Sequence, residues 1–241
     1  MLARVSYEFL GKDSMQFKQT IKFGEIEHPS GDIGKDVYRS LQSFVAGKNA
    51  SDDIFETLDP SKLNAHLSSL MKGLSAKVFR TYNASITLCS ELQKTDDSVS
   101  KKQIESEGHV LALFNYYNIA NKNVAELCNH QRATPASHQA AMERMDGKIS
   151  ELEKLLKATK KEGTAAKVAA LQKRLVKMRA DRSQKDETKN VSLGTSKINY
   201  NDPRITVAWC KRFEVPIQKP FAKTLLAKFQ WAMHVEPSYR F

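Results

Sequence analysis

The chain has 241 residues, of which 41% are hydrophobic and 27% charged, and its formal net charge is +11. This composition is typical of a globular protein of one or two domains that buries a core. No apolar run reaches the roughly 18 to 20 residues of a membrane helix, and the first residues lack the apolar core of a signal peptide. We therefore expect an intracellular protein with no membrane partner.

The positive charge is unevenly distributed along the chain. Lys and Arg balance Asp and Glu over residues 1–137, with 16 of each, but outnumber them 14 to 8 over 138–190 and 8 to 3 over 191–241. This excess favours a polyanionic partner for the C-terminal part. Charge alone would suit RNA or an anionic membrane as well as DNA.

The sequence offers little support for metal or cofactor chemistry. Cys89, Cys128 and Cys210 are far apart and form no C-x-x-C pair, which predicts free thiols. His130 follows Cys128 closely, but no second pair completes four zinc ligands. The P-loop, the dinucleotide-binding glycine motif, the G-x-S-x-G elbow and H-E-x-x-H are absent from the sequence. We expect neither a cofactor nor a metal ion.

The N-terminal segment alternates between apolar and polar residues. Val5, Tyr7 and Phe9 share one face, and a second run with period two extends from Phe17 after a Gly, Asp and Ser cluster. This pattern predicts a β-hairpin that carries Lys12 at its exposed tip.

Helical spacing of apolar residues follows from about residue 30. One helix is predicted to begin at Asp59-Pro60, since an acidic cap followed by proline is a typical start signal. Two longer helices are predicted over residues 75–94 and 100–129.

Residues 138–189 differ in composition, because aromatic residues disappear and Lys, Arg, Glu, Ala and Leu dominate. Apolar residues step by three and four on both sides of Gly163. The pattern predicts two amphipathic helices that fold back as an antiparallel coiled-coil hairpin. One continuous helix is the alternative, which the glycine disfavours.

Residues 190–197 are polar and include a glycine, which predicts a flexible loop. Asp202 and Pro203 then predict a helix start, and two short core helices follow on either side of Val215-Pro216. The expected fold class is mainly α with a small N-terminal β-hairpin (α+β).

Four short stretches resemble the motifs of one enzyme family. They are FLGKDS at 9–14, AKVFRTYNAS at 76–85, CNHQR at 128–132 and GTSKINYNDPR at 194–204. The predicted helical hairpin lies between the third and the fourth stretch, and the chain ends in Tyr-x-Phe. Taken together, these features resemble eukaryotic type IB DNA topoisomerase (DNA topoisomerase I) over essentially the whole chain. The resemblance implies a C-terminal catalytic part with a tyrosine recombinase/topoisomerase IB-like helical domain. Its parts would be a catalytic core with the lysine hairpin at 1–137, a coiled-coil linker at 138–190 and a domain carrying the nucleophile at 191–241.

The resemblance also implies roles for individual residues. Tyr200 would attack a phosphodiester to form a 3′-phosphotyrosine, and religation would be the reverse reaction, without ATP or a metal. Arg80 and His130 would stabilise charge on the non-bridging oxygens, and Lys12 would protonate the leaving 5′ oxygen. The residues implied to contact DNA or camptothecin-type inhibitors are Asp13, Lys77, Asn129, Gln131, Thr195, Lys197 and Asn199.

The implied partner is double-stranded DNA, bound through its phosphates with little sequence preference and with strong dependence on salt. Relaxation of supercoiled DNA in the nucleus is the implied activity. The hairpin at 138–189 would lie outside the catalytic globule and tune rotation or religation.

The chain also departs from the family pattern. One further catalytic arginine of the family lies upstream of the lysine hairpin, and the lobe that caps DNA is missing. Phe213-Glu214 stands where an aromatic residue and glycine are usual. The chain is therefore expected to be a fragment, a truncated gene prediction or a part that needs an N-terminal half from another chain. The alternatives are a catalytically incomplete DNA-binding fragment and a tyrosine recombinase, although the linker argues against the latter.

Overall fold

A computed structural model describes residues 4–10, 16–23 and 33–241 of the chain. The backbone forms two compact units, Met1–Ala76 and Lys77–Phe241. The predicted mainly α fold class with one small hairpin is confirmed. The division at residues 137 and 190 stays a prediction.

The first unit contains the predicted β-hairpin. Strands β1 (Arg4–Leu10) and β2 (Gln16–Lys22) pair antiparallel, with Phe9 opposite Phe17. These two rings lie 4.8 Å apart between centroids, a cross-strand aromatic pair that stabilises the register. The predicted tip residues Lys12 and Asp13 lie outside the described residues.

The described part of the first unit also contains the helices α1 (Ile33–Val45) and α2 (Pro60–Leu70). The predicted start of α2 is confirmed, because the Asp59 carboxylate accepts a hydrogen bond from the Lys62 amide at 2.9 Å and Pro60 occupies the first helical turn.

The second unit is helical. Its helices are α3 (Ala76–Gln93), α4 (Thr95–Ser98), α5 (Lys101–Glu107), α6 (His109–Leu127), α7 (His138–Glu162), α8 (Ala165–Glu187), α9 (Leu193–Asn199), α10 (Pro203–Arg212) and α11 (Lys223–Lys228), followed by a 3-10 turn at Gln230–Ala232.

The core of this unit surrounds Trp209 of α10, which is almost fully buried. Its indole packs 5.4 Å from the ring of Tyr117 on α6 and donates a 2.9 Å hydrogen bond to the Thr95 hydroxyl. A buried Trp stabilises a core when its N–H finds an acceptor. These contacts fix α10 against α6, and α10 begins only three residues after Tyr200.

The helix predicted over residues 100–129 is wrong as one element, because it is divided into α5 and α6 at Gly108. Gly108 has a φ of +89°, which glycine adopts without the steric cost that a side chain would impose. Its carbonyl accepts hydrogen bonds from the first turn of α6, while its amide closes α5 on Ile104. One residue therefore ends one helix and starts the next.

Helices α7 and α8 form an antiparallel hairpin, so the alternative of one continuous helix is wrong. Asp146 accepts a bidentate pair from Arg182 at 2.9 and 3.1 Å, and Glu153 pairs with Arg179 at 2.6 Å. A side chain at Gly163, between the helices, would collide with Thr159. The finer prediction of coiled-coil geometry stays a prediction.

The base of the hairpin packs on the body of the second unit. The C-terminal part of α8 contacts α5 and α6 and borders a cleft whose lining includes Asn118 and Gln184. At the same end His138 bonds Asp186 at 3.0 Å. The hairpin is therefore attached to the unit at least through the last turns of α8.

All three cysteines are buried free thiols, as predicted. Among the described residues no three His, Cys, Asp or Glu side chains come together as metal ligands. No helix in the same residues has both the length and the apolar character to cross a membrane.

Candidate active site

The first component of the site is Arg80, which lies exposed on α3. Its Nη1 lies 3.5 Å from the hydroxyl oxygen of Tyr200, and its guanidinium carbon lies 5.5 Å from the centre of the tyrosine ring. Ala84 and Leu88, which follow Arg80 by one and two turns of α3, are buried and anchor the helix in the core. The arginine is thereby held on a rigid element beside the phenol.

His130 is placed by the way α6 ends. The amide of His130 donates to the Ala125 carbonyl at 2.8 Å and the amide of Asn129 donates to the Glu126 carbonyl at 3.0 Å. Asn129 has a φ of +55°, in the left-handed region. These are the two hydrogen bonds of a Schellman C-cap, in which asparagine is the common substitute for glycine. Asn129 therefore has a structural role that directs the next residue, His130, back toward the body of the unit.

The chain after His130 pairs with the segment before α9. The His130 carbonyl accepts from the Ser192 amide at 2.9 Å, and Gln131 forms an antiparallel bridge with Val191. The Arg132 amide donates to the Asn190 carbonyl at 2.8 Å. Main-chain hydrogen bonds thus connect the histidine segment to the residues that precede α9.

The predicted flexible loop at residues 190–197 is wrong over its second half, because helix α9 begins at Leu193. Ser, Gly, Thr and Asn have weak helix propensity, but tertiary contacts override propensity here. Ser196 is fully buried, and the Leu193 carbonyl accepts a 3.0 Å hydrogen bond from the Asn121 side chain on α6.

Tyr200 is the residue at which α9 ends. Its ring stacks on the His130 ring with the centroids 5.2 Å apart and the planes tilted by 27°. Ser85 holds the backbone on both sides of Asn201: its hydroxyl donates to the Tyr200 carbonyl at 3.2 Å and accepts from the Asp202 amide at 2.9 Å. The predicted nucleophile is therefore fixed to the helix that carries Arg80.

Helix α10 begins directly after the tyrosine, as predicted. Asp202 accepts the Arg204 amide at 2.9 Å, and the Arg204 guanidinium forms a bidentate pair with the two oxygens of the same carboxylate. Tyr239 donates its hydroxyl to Asp202 at 3.4 Å and lies under the Arg204 guanidinium. The C-terminal residues thereby stabilise the helix start that follows Tyr200.

The remaining sequence-predicted residues surround this centre. Lys77, Asn129, Gln131 and Asn199 are exposed, Thr195 is partly buried, and Lys12 and Asp13 lie outside the described residues. Lys197 is turned inward, because its ammonium donates to the Pro220 carbonyl at 3.3 Å and lies 5.7 Å from the Tyr117 ring centre. Burial lowers the pKa of Lys197 below its ordinary value.

Cys128 lies beside the site but has the character of a core thiol. Burial raises the pKa of this thiol, and the positive charge of Arg80 opposes that shift only in part. A protonated buried thiol is a poor nucleophile, so Cys128 packs rather than reacts.

Sequence reasoning missed a set of buried polar residues that connect the predicted ones. Ser85 and Ser196 are fully buried. The side-chain amide of Asn201 donates to the side-chain oxygen of the buried Asn121 at 3.3 Å. Small polar residues on helices give no periodic signal in the sequence. The signal that could have indicated such residues is their position inside a recognised motif, as for Ser85 in AKVFRTYNAS.

Comparison with known proteins identifies the family to which these features belong. Residues 2–163 match the family model described as eukaryotic DNA topoisomerase I, catalytic core, and residues 172–241 match the C-terminal topoisomerase domain. The first match includes Arg80 and His130, and the second includes Tyr200.

Individual relatives agree with the family match. DNA topoisomerase 1 alpha of Arabidopsis thaliana is 44% identical over 99% of this chain, and DNA topoisomerase 1 of Caenorhabditis elegans is 43% identical over 97%. The human protein named DNA topoisomerase I, mitochondrial, is 38% identical over 95%. The chain spans 27%, 28% and 39% of the lengths of these three relatives.

Proposed function

The chain belongs to the eukaryotic DNA topoisomerase I family, and we propose that it forms the catalytic part of a type IB DNA topoisomerase. The observation that carries this proposal is the convergence of three side chains from separate elements. Arg80 of α3, His130 after α6 and Tyr200 at the end of α9 meet through a 3.5 Å contact and a 5.2 Å ring stack.

The proposed reaction is a transesterification. The Tyr200 oxygen attacks a DNA phosphorus, a bond from that oxygen to phosphorus forms, and the bond to the 5′ oxygen breaks in line. One diester replaces another, so no high-energy cofactor is required to reseal the strand. The tyrosine gives up its proton during attack, and the leaving 5′ oxygen gains one.

The geometry suits the charge that develops in such a transition state. Negative charge grows on the non-bridging oxygens, where a planar guanidinium and an imidazole donor can each supply hydrogen bonds. These hydrogen bonds require the fixed spacing that α3 and the Schellman cap provide.

Lys12 is proposed as the acid for the leaving oxygen on the strength of the family resemblance alone. A lysine is suited to this role because its ammonium carries three rotatable donors on a flexible stem. Asp13 is proposed on the same ground to line the cleavage site.

The chain spans 27% of the Arabidopsis relative, and we propose that an N-terminal half is the functional partner. It would supply the further catalytic arginine and the lobe that caps DNA. The proposed substrate is double-stranded DNA bound through phosphates, with Lys77, Asn129, Gln131, Thr195 and Asn199 near its backbone or bases. Lys197 is kept among these proposed contacts, although its ammonium is engaged with Pro220 in the free protein.

The proposed location is the nucleus, where the substrate is abundant. A fluorescent fusion of the full gene product would distinguish this from the mitochondrial location that the name of the human relative states.

A cleavage trap tests the proposal. The substrate is a DNA duplex whose cleavage releases a strand too short to stay paired, so that a covalent protein–DNA adduct accumulates. The chain is assayed alone and with the N-terminal part of the Arabidopsis relative. An adduct in the second arm supports the proposal, and its absence in both arms favours a non-catalytic DNA-binding part. Exchange of strands between two paired duplexes would instead indicate a tyrosine recombinase.

A further inference from the structure

We propose that Ser196 is a positioning residue for DNA cleavage, which it serves by holding the His130 ring in one orientation and one tautomer. The inference rests on the proposed function, because it concerns the histidine that would stabilise the transition state. No sequence motif assigned a role to this serine.

The first observation is the contact itself. The Ser196 hydroxyl oxygen lies 2.8 Å from Nδ1 of His130, a distance typical of a good hydrogen bond. Ser196 is fully buried, so water does not compete for its hydroxyl. A buried hydroxyl without a partner is costly, which makes this bond strongly favoured over its absence.

The second observation is the position of Ser196 in the backbone. Its carbonyl accepts hydrogen bonds from the amides of Tyr200 and Asn201, both at 2.9 Å. The same residue therefore holds the proposed nucleophile by its main chain and the proposed donor by its side chain. A shift of Ser196 would change the spacing between the two stacked rings.

The direction of the hydrogen bond decides the tautomer, because the Ser196 hydroxyl can either donate to Nδ1 of His130 or accept from it. In our proposal the serine donates, since its buried hydroxyl hydrogen then has Nδ1 as its acceptor. If the serine donates, Nδ1 is unprotonated in the neutral ring and the hydrogen lies on Nε2. Nε2 then is the ring nitrogen that donates to a non-bridging phosphate oxygen.

This hydrogen bond explains why α9, whose residues have weak helix propensity, contains a buried serine. Ser196 gives α9 a buried polar anchor, and the anchor ties α9 to the cap of α6. The imidazole is thus oriented before DNA binds, which reduces the reorganisation required in the transition state.

A spectroscopic measurement tests the tautomer without DNA. The ring nitrogens of the six histidines are observed by ¹⁵N NMR of the full chain at a pH where the imidazoles are neutral, and His130 is assigned from its loss in His130→Gln. We expect the hydrogen on Nε2 in the wild type and a mixture of tautomers in Ser196→Ala. A wild-type hydrogen on Nδ1 would overturn the inference.

A kinetic measurement tests the consequence. Ser196→Ala, combined with the N-terminal part of the Arabidopsis relative, should form the covalent adduct about 10- to 100-fold more slowly per folded molecule, as expected for a small misplacement of a catalytic group. Thr206→Val is the matched control, because it removes another buried hydroxyl, one that bonds Tyr117 at 3.1 Å, away from His130.

The outcomes separate the two proposals. Adduct formation by the wild type with an unchanged rate in Ser196→Ala overturns the role of Ser196 and leaves the proposed function intact. Absence of an adduct even in the wild type overturns the proposed function, while the NMR arm still decides whether Ser196 sets the tautomer. Equal slowing in Ser196→Ala and Thr206→Val would show a general loss of packing and would also overturn the inference.

Discussion

Arg80 and Tyr200 are 120 residues apart in the sequence, yet Nη1 of the arginine lies 3.5 Å from the tyrosine hydroxyl. Both residues belong to the second unit, Lys77–Phe241. The site is therefore assembled by the fold of the second unit, and substitutions can separate its chemical from its structural contributions.

Replacement of Arg80 by lysine tests the need for a planar donor. Lysine keeps the charge but loses the guanidinium fork, so we expect adduct formation to fall about 100-fold, in the range observed when one transition-state donor is removed. Single-turnover cleavage with the complementing N-terminal part measures the rate. Arg179→Lys, an exposed hairpin arginine paired with Glu153, is the control and should leave the rate unchanged. Equal rates for wild type and Arg80→Lys would contradict the assigned role.

Removal of the Ser85 hydroxyl tests the connection between α3 and the tyrosine segment. Ser85→Ala leaves the Tyr200 carbonyl and the Asp202 amide without their partner, and we expect a loss of about 1–3 kcal/mol in the free energy of unfolding. Urea denaturation followed by tryptophan fluorescence measures this change. The exposed Ser150→Ala should change it by less than about 0.5 kcal/mol. An equally small effect at Ser85 would show that the two bonds contribute little.

The partly buried ammonium of Lys197 predicts a pH dependence of stability. Burial lowers the pKa of this group in the folded state, so above that folded pKa and up to the ordinary value near 10.5 the unfolded chain binds more protons. Stability from this group therefore rises as the pH rises through that window. Lys197→Met should remove this contribution. The unfolding free energy of the wild type minus that of the variant, measured from pH 7 to 10, should therefore increase with pH. A constant difference would contradict the burial of the charge.

Shortening the hairpin tests whether its tip is dispensable. Replacement of residues 154–173 by a Gly-Ser turn of about four residues keeps Leu152, Leu175 and the base that packs on α5 and α6. We expect adduct formation to persist and plasmid relaxation to change, because the shortened chain keeps the packing of α8 on α5 and α6. As a control, Asp186→Ala removes the bond to His138 at the base and should weaken the attachment of the hairpin. Loss of adduct formation on shortening the tip would contradict this separation.

Local sequence signals predicted elements whose determinants are themselves local. The alternation around Phe9 and Phe17 predicted the β-hairpin, and Asp202-Pro203 predicted the start of α10, because side-chain alternation and capping depend on neighbouring residues. The break at Gly108 was missed, since a glycine inside a helical pattern gives no sign of whether it will adopt a positive φ.

The candidate site was predicted by resemblance rather than by pattern. Tyr200, Arg80 and His130 lie on three elements, and nothing in their spacing indicates that they meet. Helix α9 was missed because its residues favour loops, and its stability depends on the burial of Ser196 and on Asn121 from α6. Such long-range polar contacts cannot be predicted from one sequence.

The measurement that tests the central claim most directly is mass spectrometry of the covalent adduct after nuclease digestion. With the N-terminal part present, the wild type should carry a nucleotide phosphate on the peptide that contains Tyr200, and Tyr38→Phe should behave identically. Tyr200→Phe should form no adduct while it still binds DNA. An adduct that persists in Tyr200→Phe, or a phosphate mapped to another residue, would contradict the assignment of Tyr200 as the nucleophile.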